Sequence, residues 1–308
     1  MLKNAQDLTV LSPAKVNLHL AVLDRRSDGF HDIESVFLAV DFADTLHFEL
    51  AGRENSVEIA MEPDSVPDLS SVSAAGSVPG LSSVPIPLEK NIIFRALSLF
   101  KVKTGFSKGI RVNVRKRIPI GGGLGGGSSN AASTLLALNK LAYNALSPDL
   151  LLEMGASLGS DVPFFLHEAA AALVTGRGEK IEALPPPGLF LTLVNPGFSS
   201  DTSAAYRLLD KKREERKAAP SKSTVKKMEF SSFFNDFLPV FEEPESRIYN
   251  EIISRLKDLG AQYANLSGSG STCFGVFGDR AEAMKAAEIL RIKWNFSEFC
   301  CPFTKLSL

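Results

Sequence analysis

Cysteine is nearly missing from this 308-residue chain, which has three thiols: Cys273, Cys300 and Cys301. The last two are neighbours and poorly suited to bond each other. The four histidines (His19, His31, His47, His167) are scattered, so no ligand-spaced Cys/His cluster exists. These shortages argue against a disulfide scaffold and a structural metal site. An excess of one charge is missing too: the formal net charge of -1 argues against a nucleic-acid binder working through bulk electrostatics. No apolar run approaches the ~20 residues that cross a bilayer. The opening Met1-Leu2-Lys3-Asn4-Ala5-Gln6-Asp7 lacks the apolar core of a secretion signal and the character of a transit peptide. The expectation is a cytoplasmic protein with no nucleic-acid, membrane or obligate protein partner and no assigned metal residues.

Glycine is abundant and concentrated in one place. In Pro119-Ile120-Gly121-Gly122-Gly123-Leu124-Gly125-Gly126-Gly127-Ser128-Ser129-Asn130, six of the seven residues from 121 to 127 are glycine. Such a run would be ruinous inside a helix or strand. It suits a backbone that must approach a ligand closely. Good helix formers follow at once, Ala131 to Leu141, with Ser128-Ser129-Asn130 read as the helix cap. A glycine loop opening onto a helix N-terminus is an anion site, with phosphate the obvious guest. The loop has no Walker Lys-Ser/Thr. It meets the dinucleotide pattern only because it is glycine almost throughout.

Around this loop the chain falls into two parts. Residues 1–184 begin with strand-like sequence: Leu8–Pro13, then Lys15–Val22 alternating with period two, then Ile33–Leu50. A helical period follows from Asn91, and an alternating strand from Gly109 to Arg117 leads into the glycine loop. Leu184-Pro185-Pro186-Pro187-Gly188 reads as a domain joint. Residues 185–308 then mix strands and helices: Leu189–Val194, the turn at Leu266-Ser267-Gly268-Ser269-Gly270-Ser271-Thr272 and a helix from Ala281 to Leu290. Two segments look inserted. Residues 63–87 contain a near-duplicate (Ser65–Val72 and Ser77–Val84), and the charged stretch 211–227 reads as a solvated helix end and loop.

Three separated segments carry a family resemblance. Pro13-Ala14-Lys15-Val16-Asn17-Leu18, followed by Asp28-Gly29-Phe30-His31, opens the chain. Gly121 to Ala132 occupies the middle, followed by Gly159-Ser160-Asp161-Val162-Pro163. Ser267-Gly268-Ser269-Gly270-Ser271 lies near the end. Together they resemble the three motifs of the GHMP small-molecule kinases, over nearly the whole chain outside the two inserts. Lys15 with Asp28-Gly29-Phe30-His31 narrows the resemblance to the branch that acts on a small cytidylyl substrate. The resemblance implies a two-domain GHMP kinase fold of the α/β (α+β) class with its active site in the interdomain cleft, and ATP and Mg²⁺ as cofactors.

It also implies roles residue by residue. Asp161 matches the general base and Lys15 the cation beside it. By composition alone, Asp161 is equally a turn or cap aspartate, and Lys15 a solvated lysine. Gly121, Gly122, Gly123, Leu124, Gly125, Gly126, Gly127, Ser128 and Ser129 match the phosphate loop, with Ser129 the one residue considered for the metal. Asn91 resembles an asparagine near the adenine, and would serve equally as a plain helix cap. Asn17, His31 and Tyr206 match substrate contacts. Phe30 stands where the family often has tyrosine, so its ring can stack without a hydroxyl. Gly268 and Gly270 match glycines that brace the loop beside the substrate diphosphate. Homoserine and mevalonate kinases are the alternatives within the superfamily, and an ATP-binding regulator without turnover is the alternative outside it.

Overall fold

A computed structural model describes residues 7–50, 53–63, 87–167, 169–221, 225, 229–294 and 296–303. In chain order it contains β1 (Asp7–Arg25), β2 (His31–Leu50), β3 (Val57–Pro63), α1 (Ile92–Thr104), β4 (Ile110–Lys116), α2 (Gly126–Leu141), α3 (Pro148–Leu158), α4 (Val162–Leu166), β5 (Ala171–Gly176) and β6 (Lys180–Leu184). Then follow β7 (Phe190–Val194), α5 (Thr202–Arg216), α6 (Glu245–Asp258), β8 (Tyr263–Leu266), β9 (Cys273–Phe277), α7 (Arg280–Trp294) and β10 (Ser297–Cys300). The first sheet runs β3-β4-β2-β5-β6, with β1 also on β2; the second runs β10-β7-β9-β8. Most of the first inserted segment, 64–86, lies outside the described residues, as do 222–224 and 226–227 of the second.

Each sheet buries one face under helices. Phe48, Val112, Leu97, Phe100, Leu135 and Leu138 form the first core, and Tyr249, Ile252, Leu256, Phe277 and Leu290 belong to the second. A third cluster joins the two sheets: Val16, Leu18 and Leu38 from the first meet Leu191, Leu193 and Phe274 from the second. Strand β1 is closed on its opposite face as well. Its period-two alternation predicts one wet face, yet Lys15, Asn17 and His19 are as buried as Val16, Leu18 and Leu20. The strand is sandwiched, so its polar residues need partners inside the protein. His19 finds one by accepting the Phe234 N–H on Nδ1 at 3.2 Å, and burial lowers its pKa. The chain end also returns to the first sheet, where Phe303 N donates to Ala39 O.

The charged stretch from residue 211 is a largely exposed helix end and loop, as its composition predicts, with Arg213 the exception. Residues 211–216 complete α5, where Arg213 is mostly buried and donates to Val22 O at 2.7 Å and to Asp236 Oδ2 at 3.1 Å. A guanidinium reaching a strand carbonyl and a carboxylate together is a tether, not a surface charge.

One buried ion pair sets where β4 releases the chain into the glycine loop. Asp44 accepts from Lys116 Nζ at 2.7 Å and from the N–H groups of Arg117 and Ile118 at 2.8 and 2.9 Å. Lys116 Nζ also donates to Ile118 O, and burial pushes its pKa down. Asp44→Ala strips three donors of their acceptor at once. A loss of about 3–5 kcal/mol is expected for breaking a buried pair from one side, measured by denaturant unfolding; a loss below ~1 kcal/mol would show that the pair carries no such weight.

Candidate active site

The glycine loop lines a cleft of about 800 Å³. Gly121, Gly123 and Gly125 all have positive φ (68°, 75° and 68°), which L side chains rarely adopt. Steric room is missing as well. A Cβ on Gly123 would lie 2.1 Å from the carbonyl oxygen of Ser267 and 2.7 Å from that of Gly270. The loop is tied to both flanking motifs through its own carbonyls: Lys15 N donates to Leu124 O, Thr272 N to Gly122 O and Ser267 Oγ to Gly123 O. Helix α2 begins at Gly126, with Gly125 as its N-cap and no capping side chain. Ser128, Ser129 and Asn130 lie inside the helix, so the expected serine–asparagine cap is not there. The uncapped first turn leaves donors facing the cleft, the arrangement an anion needs.

Phosphate-sized room, a backbone without Cβ atoms and an uncapped helix end together fit a nucleotide. One further polar atom fits it. Asn130 is 3% exposed and lines the cleft, and its Oδ1 has no hydrogen-bond partner. Asn91, at the same cleft, does cap α1: its side chain accepts from Ile93 N at 2.9 Å, leaving the amide nitrogen, which reaches Met61 Sδ at 3.8 Å.

Lys15 and Asp161 meet across the floor. Lys15 Nζ is 3.3 Å from Asp161 Oδ2; the lysine side chain is 5% exposed and the aspartate 28%. Lys15 is held on two other sides, by Asn17 Oδ1 at 2.5 Å and by the Phe37 ring, 4.6 Å from its centroid. Asp161 precedes α4 but makes no capping hydrogen bond with its side chain. Its carboxylate is therefore open to a cleft ligand, fixed by one cation and occupied by nothing else in the turn. Asn17 is bonded within the protein as well. Its Oδ1 accepts from Lys15 and its Nδ2 donates to Ser35 Oγ at 2.9 Å, so it aligns the lysine and keeps one N–H and one lone pair at the cleft wall.

The opposite end of the cleft is aromatic and charged. His31 stacks on Tyr206 with ring centroids 5.2 Å apart and 19° between planes. Tyr206 also meets Phe237 nearly at a right angle, with ring centroids 4.9 Å apart. Burial, with Asp161 and Asp210 nearby, raises the Tyr206 pKa. Phe30 stands at the mouth, 53% exposed, with the Arg177 guanidinium 5.1 Å from its ring centroid. Two expected residues point elsewhere. Ser129 is fully buried and receives a hydrogen bond from Ser12 Oγ at 2.8 Å, so the helix carries it away from the phosphate side. A Cβ on Gly270 would face the Tyr249 hydroxyl, whereas one on Gly268 would face Gly123 O and Asn17 Oδ1. Gly268 thus borders the loop, while Gly270 faces the core behind it.

Lys116, Arg177 and Asp210 also line the cleft, and the sequence motifs do not single them out. Lys116 is detectable all the same: in β4 the alternation puts it on the buried face with Ile110, Val112 and Val114. Asp210 follows Tyr206 by four residues, one helical turn along the same face. Arg177 comes from the β5–β6 turn and leaves no such signal.

Two family profiles match: GHMP kinases N terminal domain over residues 91–169 and GHMP kinases C terminal over residues 218–295. The 4-diphosphocytidyl-2-C-methyl-D-erythritol kinase of Thermodesulfovibrio yellowstonii is 35% identical over 298 residues, covering 93% of this chain and 95% of its own. The kinase of the same description from Syntrophus aciditrophicus is 35% identical, covering 95% and 98%. A crystal structure of 4-(cytidine 5'-diphospho)-2C-methyl-D-erythritol kinase superposes with a TM-score of 0.69 at 29% identity, covering 95% and 98%. Homoserine kinase from Cytophaga hutchinsonii shares the fold at 18% identity, with a TM-score of 0.66 and coverage of 97% and 95%.

The loop geometry makes a paired prediction. Gly123→Ala drives a methyl group into the Ser267 carbonyl and should cost more than about 3 kcal/mol. Gly127→Ala meets only Ile92 Cγ2 at 3.8 Å and should be neutral or stabilise the helix by up to about 1 kcal/mol. Thermal unfolding of the two variants checks this, and equal melting temperatures would refute it.

Proposed function

This chain belongs to the GHMP kinases, in the group of 4-diphosphocytidyl-2-C-methyl-D-erythritol kinases, and we propose from its cleft how it carries out that group's reaction. It is a phosphotransferase with an alcohol acceptor, moving the γ-phosphoryl group of ATP to the 2-hydroxyl of 4-diphosphocytidyl-2-C-methyl-D-erythritol in non-mevalonate isoprenoid precursor biosynthesis. The observation that carries the mechanism is the Lys15–Asp161 pair, 3.3 Å apart and opening on the same cleft as the glycine loop.

Phosphoryl transfer needs alignment, charge neutralisation and removal of one proton. The glycine loop, Ser128 and the first turn of α2 hold the ATP phosphates, with Asn91 and Asn130 toward the base. A Mg²⁺ ion beside Ser128 and the first turn of α2 would supply neutralisation of the phosphate charge. Asp161 accepts the proton of the acceptor hydroxyl as that oxygen bonds the γ-phosphorus and the β–γ bridging oxygen leaves with ADP. Lys15, 3.3 Å from that carboxylate, holds it in orientation toward the acceptor. Phe30, His31 and Tyr206 take the cytidylyl end, and Gly268 leaves room for the diphosphate between. The setting we propose is the cytoplasm, where ATP is at hand and the free thiols, Cys273 and Cys300 among them, stay reduced.

ADP release should occur with 4-diphosphocytidyl-2-C-methyl-D-erythritol and not with homoserine or mevalonate at matched concentration. Turnover with either alternative alone would discard the substrate end of this reading. Asp161→Ala should lower kcat by about 10²–10⁴-fold, the span of general-base contributions, while ATP affinity measured by calorimetry changes little. Equal loss of both would make Asp161 a structural residue.

A further inference from the structure

The imidazole of His31 is not free to choose which nitrogen carries its proton. Nε2 lies 2.8 Å from Asp210 Oδ1. An ionised carboxylate only accepts hydrogen bonds, so the hydrogen between them sits on Nε2. The other oxygen of Asp210 faces Arg25 Nη1 at 3.9 Å, which gives the carboxylate a counter-charge. A half-turn of the ring would keep the Tyr206 stack but carry Nε2 away from Asp210, and the side chain is only 6% exposed. Arg25 and His31 are themselves paired across β1 and β2, so both groups facing Asp210 come from one rung of the sheet.

We infer that Asp210 is a specificity-determining positioning residue. It locks His31 with its proton on Nε2 and leaves Nδ1 as a bare acceptor, which selects an amino-pyrimidine over an oxo-pyrimidine. This rests on the proposal that the cytidylyl end lies at His31. A bare ring nitrogen accepts from the 4-amino group of cytosine, which is a donor. The uracil ring presents an oxygen at that position, so two lone pairs would face each other. Asp210 touches neither base. It acts through the tautomer of its neighbour.

The test separates base reading from turnover. CDP and UDP are titrated calorimetrically into the full-length protein with the ATP side filled by a non-hydrolysable ATP analogue. The wild-type protein should prefer CDP by about tenfold or more, the usual effect of one satisfied against one opposed hydrogen bond. In Asp210→Asn the amide can donate to Nε2 as readily as accept from it, so the lock is lost. The preference should then fall to within about threefold, mainly through weaker CDP binding. In parallel, long-range ¹H–¹⁵N spectra of the histidine rings, with His31 assigned through His31→Gln, should show Nδ1 unprotonated in the wild type. In Asp210→Asn the proton should be redistributed. An Nδ1–H tautomer in the wild type, a ring protonated on both nitrogens, or a CDP preference undiminished in the variant would each overturn the inference. Absence of turnover with the cytidylyl alcohol would instead count against the proposed reaction and leave these readouts interpretable.

Discussion

Residue 123 has no side chain because the carbonyl of Ser267 occupies its place. That close approach of two backbones governs much of the site. It brings the end of β8 against the phosphate loop, which is itself bonded to β1 through Lys15 N and Leu124 O. Three segments more than 100 residues apart in sequence thereby converge on a few ångströms. The same convergence carries the side chains. Lys15 lies on the strand that anchors the loop. Ser200 and Thr202 bond Ser269, which fixes the start of α5 and so the position of Tyr206. Displacing the contact would disturb phosphate binding, the lysine and the aromatic end together.

The electrostatics follow one pattern throughout. Each buried cation near the loop has a carboxylate or carbonyl assigned to it: Lys15 with Asp161 and Asn17, Lys116 with Asp44 and Ile118 O. Burying a charge without such partners would be costly. The two pairs differ in one respect. Asp44 is fully buried and saturated with donors, whereas the Asp161 side chain keeps 28% of its exposure and has no bond within its own turn. The first is built to hold a backbone, and the second is free to meet a ligand.

Much of the fold was legible in the sequence because helical and strand periods there are clean. The helix beginning near Asn91, the strand ahead of the glycine loop and the run Phe190–Val194 all appear close to where their patterns place them. The phosphate loop was legible because so dense a run of glycine weakens any regular element and is useful chiefly where a backbone must come close to something. What was not legible depends on tertiary proximity. Period-two alternation in β1 could not reveal that both faces are closed, with Lys15 against Asp161 and the Phe37 ring, Asn17 against Ser35, and His19 against Phe233 and Phe234. The helical phase of α2 turns Ser129 inward, and a serine next to a glycine run gives no hint of that. Asn17 reads as a polar residue near a site, and only the geometry shows each end of its amide holding one partner inside the protein. Arg213 reads as one charge in a charged run until its reach to Val22 O is seen.

The aliphatic seam between the sheets has a mechanical consequence. Val16, Leu18 and Leu38 on one side and Leu191, Leu193 and Phe274 on the other are essentially sealed from solvent. Rocking one half away from the other would wet that surface at ~25 cal/mol per Å², and the return of Phe303 to β2 adds a clasp. The cleft is thus closer to a casting mould than to a jaw. Its width is set when the chain folds, and admission is left to side chains at the lip, such as Phe30 and Arg177, whose motion costs no core.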